Sequence, residues 1–150
     1  MKEQFEGEAG KRRLVEALGN QELIQHNRKL AERFSEVAIV EEYSKSSVLF
    51  RQDEPDSDLF FILIGELDLF FNEGKVATRK VGEAVGEVVA TDPSATRMVT
   101  AVARQDSVVA RVDASMFSAI ADDFPDVWKN IVRVLSNRLR QATHLIHPPK

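Results

Sequence analysis

Apolar residues change their period along this chain. From Gly10 to Ala38 they recur at helical spacing: Leu14, Val15, Ala17 and Leu18 form one cluster, Gly19-Asn20 interrupts it, and Leu23, Ile24, Leu30, Ala31, Phe34 and Val37 resume it. After Val37 the pattern becomes short β-branched and aromatic runs, at 38–40, 48–50, 59–64, 67–71, 75–81, 98–103 and 107–112. Turn-rich pieces at 43–46, 52–57 and 72–74 separate them. Gly65 falls between the two strongest runs and marks a tight bend or bulge. Asp113 then opens a helix as its N-cap. Pro125 starts a last helix with the apolar stripe Val127, Ile131, Val134, Leu135, Leu139 and Ala142, and Pro148-Pro149 ends it. The spacing predicts a mainly β protein with an eight-stranded, jelly-roll-like β-barrel. An N-terminal helical segment occupies 1–37, the barrel 38–113, and two C-terminal helices 114–150.

Composition narrows the function. The 150 residues suit one domain, long enough to bury about two thirds of its unfolded surface. Cysteine is absent, which removes disulfides and thiol chemistry and suits a reducing, cytoplasmic setting. The longest apolar run, 59–64, is too short to span a bilayer, and Met1-Lys2-Glu3-Gln4 opens no secretory signal. A net charge of −4 argues against binding nucleic acid over the whole surface. The charge is uneven, because residues 127–150 carry five Lys or Arg and no acid. Most of that reads as a solvated helix face, with room for a basic element near an anionic partner.

The catalytic and metal signals are weak. His26, His144 and His147 lie at predicted helical ends and no carboxylate completes a metal site, so no metal or cofactor is expected. There is no nucleophile elbow, Walker loop or dinucleotide fingerprint. Glu66 and Asp68 alternate along one strand and read as its polar face rather than as an acid pair. The informative segment is Gly82-Glu83-Ala84-Val85-Gly86-Glu87-Val88, followed by Arg97-Met98-Val99-Thr100. A glycine-rich turn exposes amides to phosphate oxygens, an arginine supplies a forked cation, and a glutamate accepts from a sugar hydroxyl. The stretch 90–96 between them can form a turn of helix whose start favours an anion. Together these describe a pocket for a small phosphorylated ribonucleotide with one negative charge.

On these residues the chain resembles the cyclic nucleotide-binding domain family from Leu30 to about Ala142, with 86–101 similar to its phosphate-binding cassette. The resemblance implies that Glu87 accepts the ribose 2′-hydroxyl. Arg97 binds the cyclic phosphate, with amides near Arg97 and Met98 assisting. Gly65 matches the family's inter-strand glycine. Arg138 lies where a family arginine reaches back toward the cassette glutamate. Met98 stands where cyclic-AMP binders often have a small or hydroxylic residue, and Val88-Val89-Ala90 replaces the commoner Leu-Ala-Leu, so the case for adenine is weakened. Asn137, Gln141, Thr143 and Met98 are the candidates for reading the base. The flanks, 10–36 and 138–149, look like the sensor half of bacterial Pycsar TIR effectors. That likeness implies a cyclic pyrimidine nucleotide, cyclic UMP favoured, as the ligand, and a following TIR domain that destroys NAD in anti-phage defence. This chain is then a ligand-binding module and not itself an enzyme. The alternative is a cyclic AMP-binding regulatory domain of a transcription factor or other signalling protein. A homodimer along the last helix is expected from its broad apolar stripe.

Overall fold

The computed structural model describes residues 1–87, 92 and 94–146. After a short 3₁₀ turn (Lys2–Phe5) come helices α1 (Gly7–Gly19) and α2 (Arg28–Val37). Eight strands follow among the described residues: β1 (Ile39–Tyr43), β2 (Val48–Phe50), β3 (Leu59–Ile64), β4 (Glu66–Phe71), β5 (Gly74–Lys80), β6 (Ala84–Val85), β7 (Thr100–Ala103) and β8 (Ser107–Val112). Helices α3 (Ala114–Asp123) and α4 (Asp126–Ile146) complete the described chain. The expected end of the last helix at Pro148-Pro149, His147, Val88, Val89, and residues 90, 91 and 93 of the 90–96 turn lie outside the described residues.

The strands form two antiparallel four-stranded sheets, ordered β1-β8-β3-β6 and β2-β7-β4-β5. They face each other as a jelly-roll sandwich and do not close into the expected barrel. β3 explains the layering. Leu59, Phe61 and Leu63 pack with the helices, whereas Phe60 and Ile62 pack between the sheets with Phe50, Leu67, Leu69 and Ala101. A strand covered on both faces reads as a continuous apolar run, which is the run at 59–64. Phe34 of α2 meets Phe61 edge-on at 5.3 Å and stacks on Phe117 of α3 at 5.7 Å, fixing both helices to one face of the sheet.

Local chemistry sets the boundaries. Asn27 caps α2 by accepting from the Leu30 amide at 3.1 Å, and Asp113 caps α3 by accepting from the Ser115 and Met116 amides. Gly65 turns between β3 and β4 at φ +93°, where a Cβ would collide with Ser107. Val127 and Ile131 of α4 are buried, as is most of Val134, so much of the last helix's stripe is consumed by this chain's own core. Glu66 faces Arg104 at 3.6 Å, and Asp68 accepts from Thr78 at 2.8 Å and pairs with Lys75 at 3.3 Å. Both carboxylates serve the strand surface. Among the described residues no helix is long and apolar enough to cross a membrane.

Candidate functional site

A cavity of about 210 Å³ opens between the second sheet, the turn after β6 and the inner face of α4. Three guanidinium groups and one carboxylate reach it: Arg79 from β5, Arg97, Arg138 from α4, and Glu87. Phe50, Leu69, Val85 and Leu135 supply apolar wall.

Arg97 is the most deeply set, with only 1% of its surface exposed. Burying a guanidinium is costly unless it is paired. Nη2 donates to the Asp58 carbonyl at 2.6 Å and pairs with Asp56 Oδ2 at 2.9 Å. The flat face lies 4.1 Å from the centre of the Phe50 ring. The backbone is anchored too, since the Arg97 amide donates to the Glu54 carbonyl and the Asp53 amide donates to the Arg97 carbonyl. That amide is therefore committed to the 53–58 loop instead of assisting at the cavity, as the resemblance had implied. Asp58, which supplies the carbonyl, is itself held by Arg111 Nε at 2.5 Å. Despite these partners, Nε and Nη1 of Arg97 are buried without a hydrogen-bond partner among the described residues. A buried unmet donor costs roughly 1–3 kcal/mol, more when charged, so the two nitrogens favour an incoming anion.

Gly86 makes that placement possible. Its φ is +89°, and a Cβ there would stand 2.5 Å from Arg97 Nη1 and 2.7 Å from the Asp58 carbonyl oxygen. The next residue, Glu87, is 6% exposed. Its Oε1 accepts from Arg138 Nη1, while Oε2 is buried and has no partner among the described residues. Arg138 also donates through Nη2 to Glu22 at 3.2 Å and to the Ala84 carbonyl at 3.2 Å. Burial first, and the neighbouring Arg79 charge second, lower the Arg138 guanidinium to about 10, so it stays protonated at neutral pH. Glu22, half-buried beside it, is shifted upward, chiefly by burial.

Of the residues singled out in the sequence, Gly86, Glu87, Arg97, Met98, Val99 and Arg138 line the cavity together. Met98 stands at its rim, 60% exposed. Thr100 begins β7, and its hydroxyl accepts from the Gln52 amide at 2.9 Å instead of facing the cavity. Asn137, Gln141 and Thr143 are exposed on α4 and do not line it; Thr143 donates back to the Leu139 carbonyl at 2.9 Å. Val88 is outside the described residues. Sequence reasoning passed over Phe50, Leu69, Leu135 and above all Arg79. The signal for Arg79 was available: it follows Ala77 by two, so both point to the same face of β5.

A jelly-roll sandwich in which a buried arginine and a buried glutamate line one cavity beside a glycine turn has the form of a ligand-binding β domain. The chain belongs to the cyclic nucleotide-binding domain family, whose model matches residues 40–124. It is a ligand-binding domain. It is 39% identical over 146 residues to the Pycsar effector protein PaPycTIR of Pseudomonas aeruginosa, covering 97% of this chain and 47% of that protein. It is 36% identical over 146 residues to the Pycsar effector protein XpPycTIR of Xanthomonas perforans, covering 97% and 48% respectively. The chain thus spans about half the length of the curated relatives it matches. The fold is shared with the catabolite activator protein of Thermus thermophilus, with a TM-score of 0.75 at 22% identity over 85% of this chain and 62% of that one. The sensor domain of the transcriptional regulator DNR from Pseudomonas aeruginosa superposes with a TM-score of 0.74 at 16% identity, over 89% and 93% of the two chains.

Proposed function

We propose that the cavity binds a 3′,5′-cyclic mononucleotide, with the phosphate at Arg97 and the ribose 2′-hydroxyl at Glu87. One observation carries this reading: Nε and Nη1 of Arg97 and Oε2 of Glu87 are buried, lack partners among the described residues and line the same cavity. Two unmet donors on a cation match anionic oxygens. An unmet carboxylate oxygen matches a hydroxyl donor.

The base is a pyrimidine in this proposal, with cyclic UMP favoured. Met98 and Leu135 both line the cavity and give it apolar surface for a base. The likeness to Pycsar effectors over nearly the whole chain supports the same ligand class. It also supports a longer parent protein, in which ligand binding here activates a C-terminal TIR domain that degrades NAD in anti-phage defence. Two copies pair along α4 in this scheme, in a cytoplasmic protein that contacts neither nucleic acid nor membrane.

Side-by-side calorimetric titration of cyclic AMP, GMP, CMP and UMP tests the assignment. Cyclic UMP or CMP is expected to bind at least about tenfold tighter than cyclic AMP, a gap of roughly 1.4 kcal/mol. Cyclic AMP binding as tightly as both pyrimidine nucleotides overturns the pyrimidine assignment. No binding of any of the four overturns the cyclic nucleotide reading itself.

A further inference from the structure

Arg79 sits where a strand should place an apolar residue. It pairs across β4 with Leu67, which is fully buried, and it lies two residues beyond Ala77, whose partner Leu69 lines the cavity. Residues paired across antiparallel strands share a face, so Arg79 projects from the inner side of the second sheet. Its Nε is buried without a hydrogen-bond partner among the described residues. The other two guanidiniums have assigned partners: Arg97 is held through Nη2 by Asp56 and the Asp58 carbonyl, with Nε and Nη1 left for the anion, and Arg138 is held by Glu87, Glu22 and the Ala84 carbonyl. Among the described residues, no carboxylate stands within ion-pair distance of Arg79.

Its position along the cavity is also informative. Arg97 lies against Phe50 and Gly86. Arg138 meets Glu87, and Arg79 lines the same cavity beside Arg138, close enough that its charge disfavours the Arg138 cation and stabilises the Glu22 anion. A nucleotide anchored by its phosphate at Arg97 and its ribose at Glu87 extends its base beyond Glu87, to the side that Arg138 and Arg79 line. We infer that Arg79 is the base-reading residue, donating to carbonyl oxygen on the base edge and so selecting a keto base over an amino base. This rests on the cyclic nucleotide reading of the cavity. A guanidinium is donor-only. It satisfies carbonyl acceptors and repels an exocyclic amino group, which is also a donor. Uracil presents carbonyls on both sides of its ring nitrogen, cytosine has a single carbonyl opposed by an amino group, and adenine has no carbonyl at all. A pocket built to hydrogen-bond one edge rejects a base that leaves the buried group unmet.

The test is calorimetric titration of cyclic UMP and cyclic AMP into the wild-type chain, Arg79→Met and Arg79→Gln, with circular dichroism melts to establish folding. Met keeps the unbranched stem and Gln keeps a polar head, so a fault of folding in one is checked by the other. The expected result is a preference for cyclic UMP of at least about tenfold in the wild type. In both variants that preference falls to about threefold or less, with cyclic AMP affinity changed by less than about threefold. An unchanged preference in a folded variant overturns the inference, as does an equal loss for both nucleotides, which would make Arg79 a phosphate or structural group. Those outcomes leave the cyclic nucleotide reading standing. Absence of binding by the wild type overturns that reading and the role of Arg79 with it.

Discussion

A methyl group added at Gly86 would meet two atoms that cannot easily yield: Arg97 Nη1 at 2.5 Å, clamped under Phe50, and the Asp58 carbonyl oxygen at 2.7 Å. The backbone there is at φ +89°, which strains any side chain. Gly86→Ala is therefore expected to cost about 1–3 kcal/mol of stability. It should also weaken ligand binding, because relief of the clash displaces the guanidinium. Thermal melts with parallel titrations check this, and a variant with wild-type affinity would place Arg97 Nη1 outside the binding surface. Arg97→Ala is expected to lose on the order of 2–5 kcal/mol of binding, since the ligand's charge is left desolvated and unpaired. Glu87→Ala should lose less, roughly 1.5–3 kcal/mol, for one hydrogen bond to a charged acceptor. Titration giving the reverse order would exchange their roles.

Burial alone would raise the Asp56 carboxyl, but the Asp58 amide and the Arg97 guanidinium outweigh it and hold Asp56 below its ordinary value of 3.8. A carboxyl with a depressed folded pKa contributes stability that is present above the unfolded value and lost as pH falls through the folded one. The wild type should thus lose this contribution below about pH 4, and Asp56→Asn should flatten that part of the Tm profile. An identical acid limb in the variant would show that the Arg97–Asp56 pair adds no net stability.

At the scale of elements, α4 has two occupied sides. One side buries Val127, Ile131 and Val134 in the core, and another reaches the cavity through Leu135 and Arg138. The breadth of the stripe that suggested a partner in the sequence is thus mostly explained within one chain. Of the stripe, Leu139 and Ala142 stay exposed, and Val132, outside the stripe, joins Leu139 at 64% and 69% exposure two helical turns apart, the spacing of a narrow coiled-coil seam. Sedimentation at high micromolar concentration is expected to give a dimer that Leu139→Lys dissociates. A monomer with and without ligand would remove α4 as a pairing surface.

The same helix shows why the sequence revealed some features and not others. Strand β8 and the Asp113 cap could be read directly, because an apolar run and a capping side chain are local signals. Glu87 and Arg97 are legible because a glycine, Gly86, stands directly before the glutamate and only nine residues separate the glutamate from the arginine. β6 has only two residues, too few for alternation to register. Asp56 and Asp58 sit in a loop without periodicity, and only the folded chain brings them to Arg97. Asn137, Gln141 and Thr143 are polar and on the correct helix, but the turn of that helix facing the cavity carries Leu135 and Arg138. A one-residue advance rotates a side chain by about 100°, so polarity without the helical phase does not locate a contact.

For the whole molecule, β3 decides how far a binding event reaches. Phe61 packs in the helical core, and Phe60 packs between the sheets beside Phe50 and under the Arg97 guanidinium. Trp128 touches Phe117 edge-on at 5.9 Å in the helical core and does not line the cavity. If one strand fastens both cores into a single cooperative unit, a ligand held near Phe50 stabilises the surroundings of Trp128 as much as its own. Binding only to the folded state adds RT ln(1 + [L]/Kd), about 2.7 kcal/mol at a hundredfold excess over Kd. For a chain of this size that is a rise in Tm of roughly 5–10 °C. Trp128 fluorescence and the β-sheet circular dichroism signal are expected to shift together by that amount when cyclic UMP is added. A sheet transition that moves while the Trp128 transition stays in place would show two separable units, with the ligand's effect confined to the second sheet.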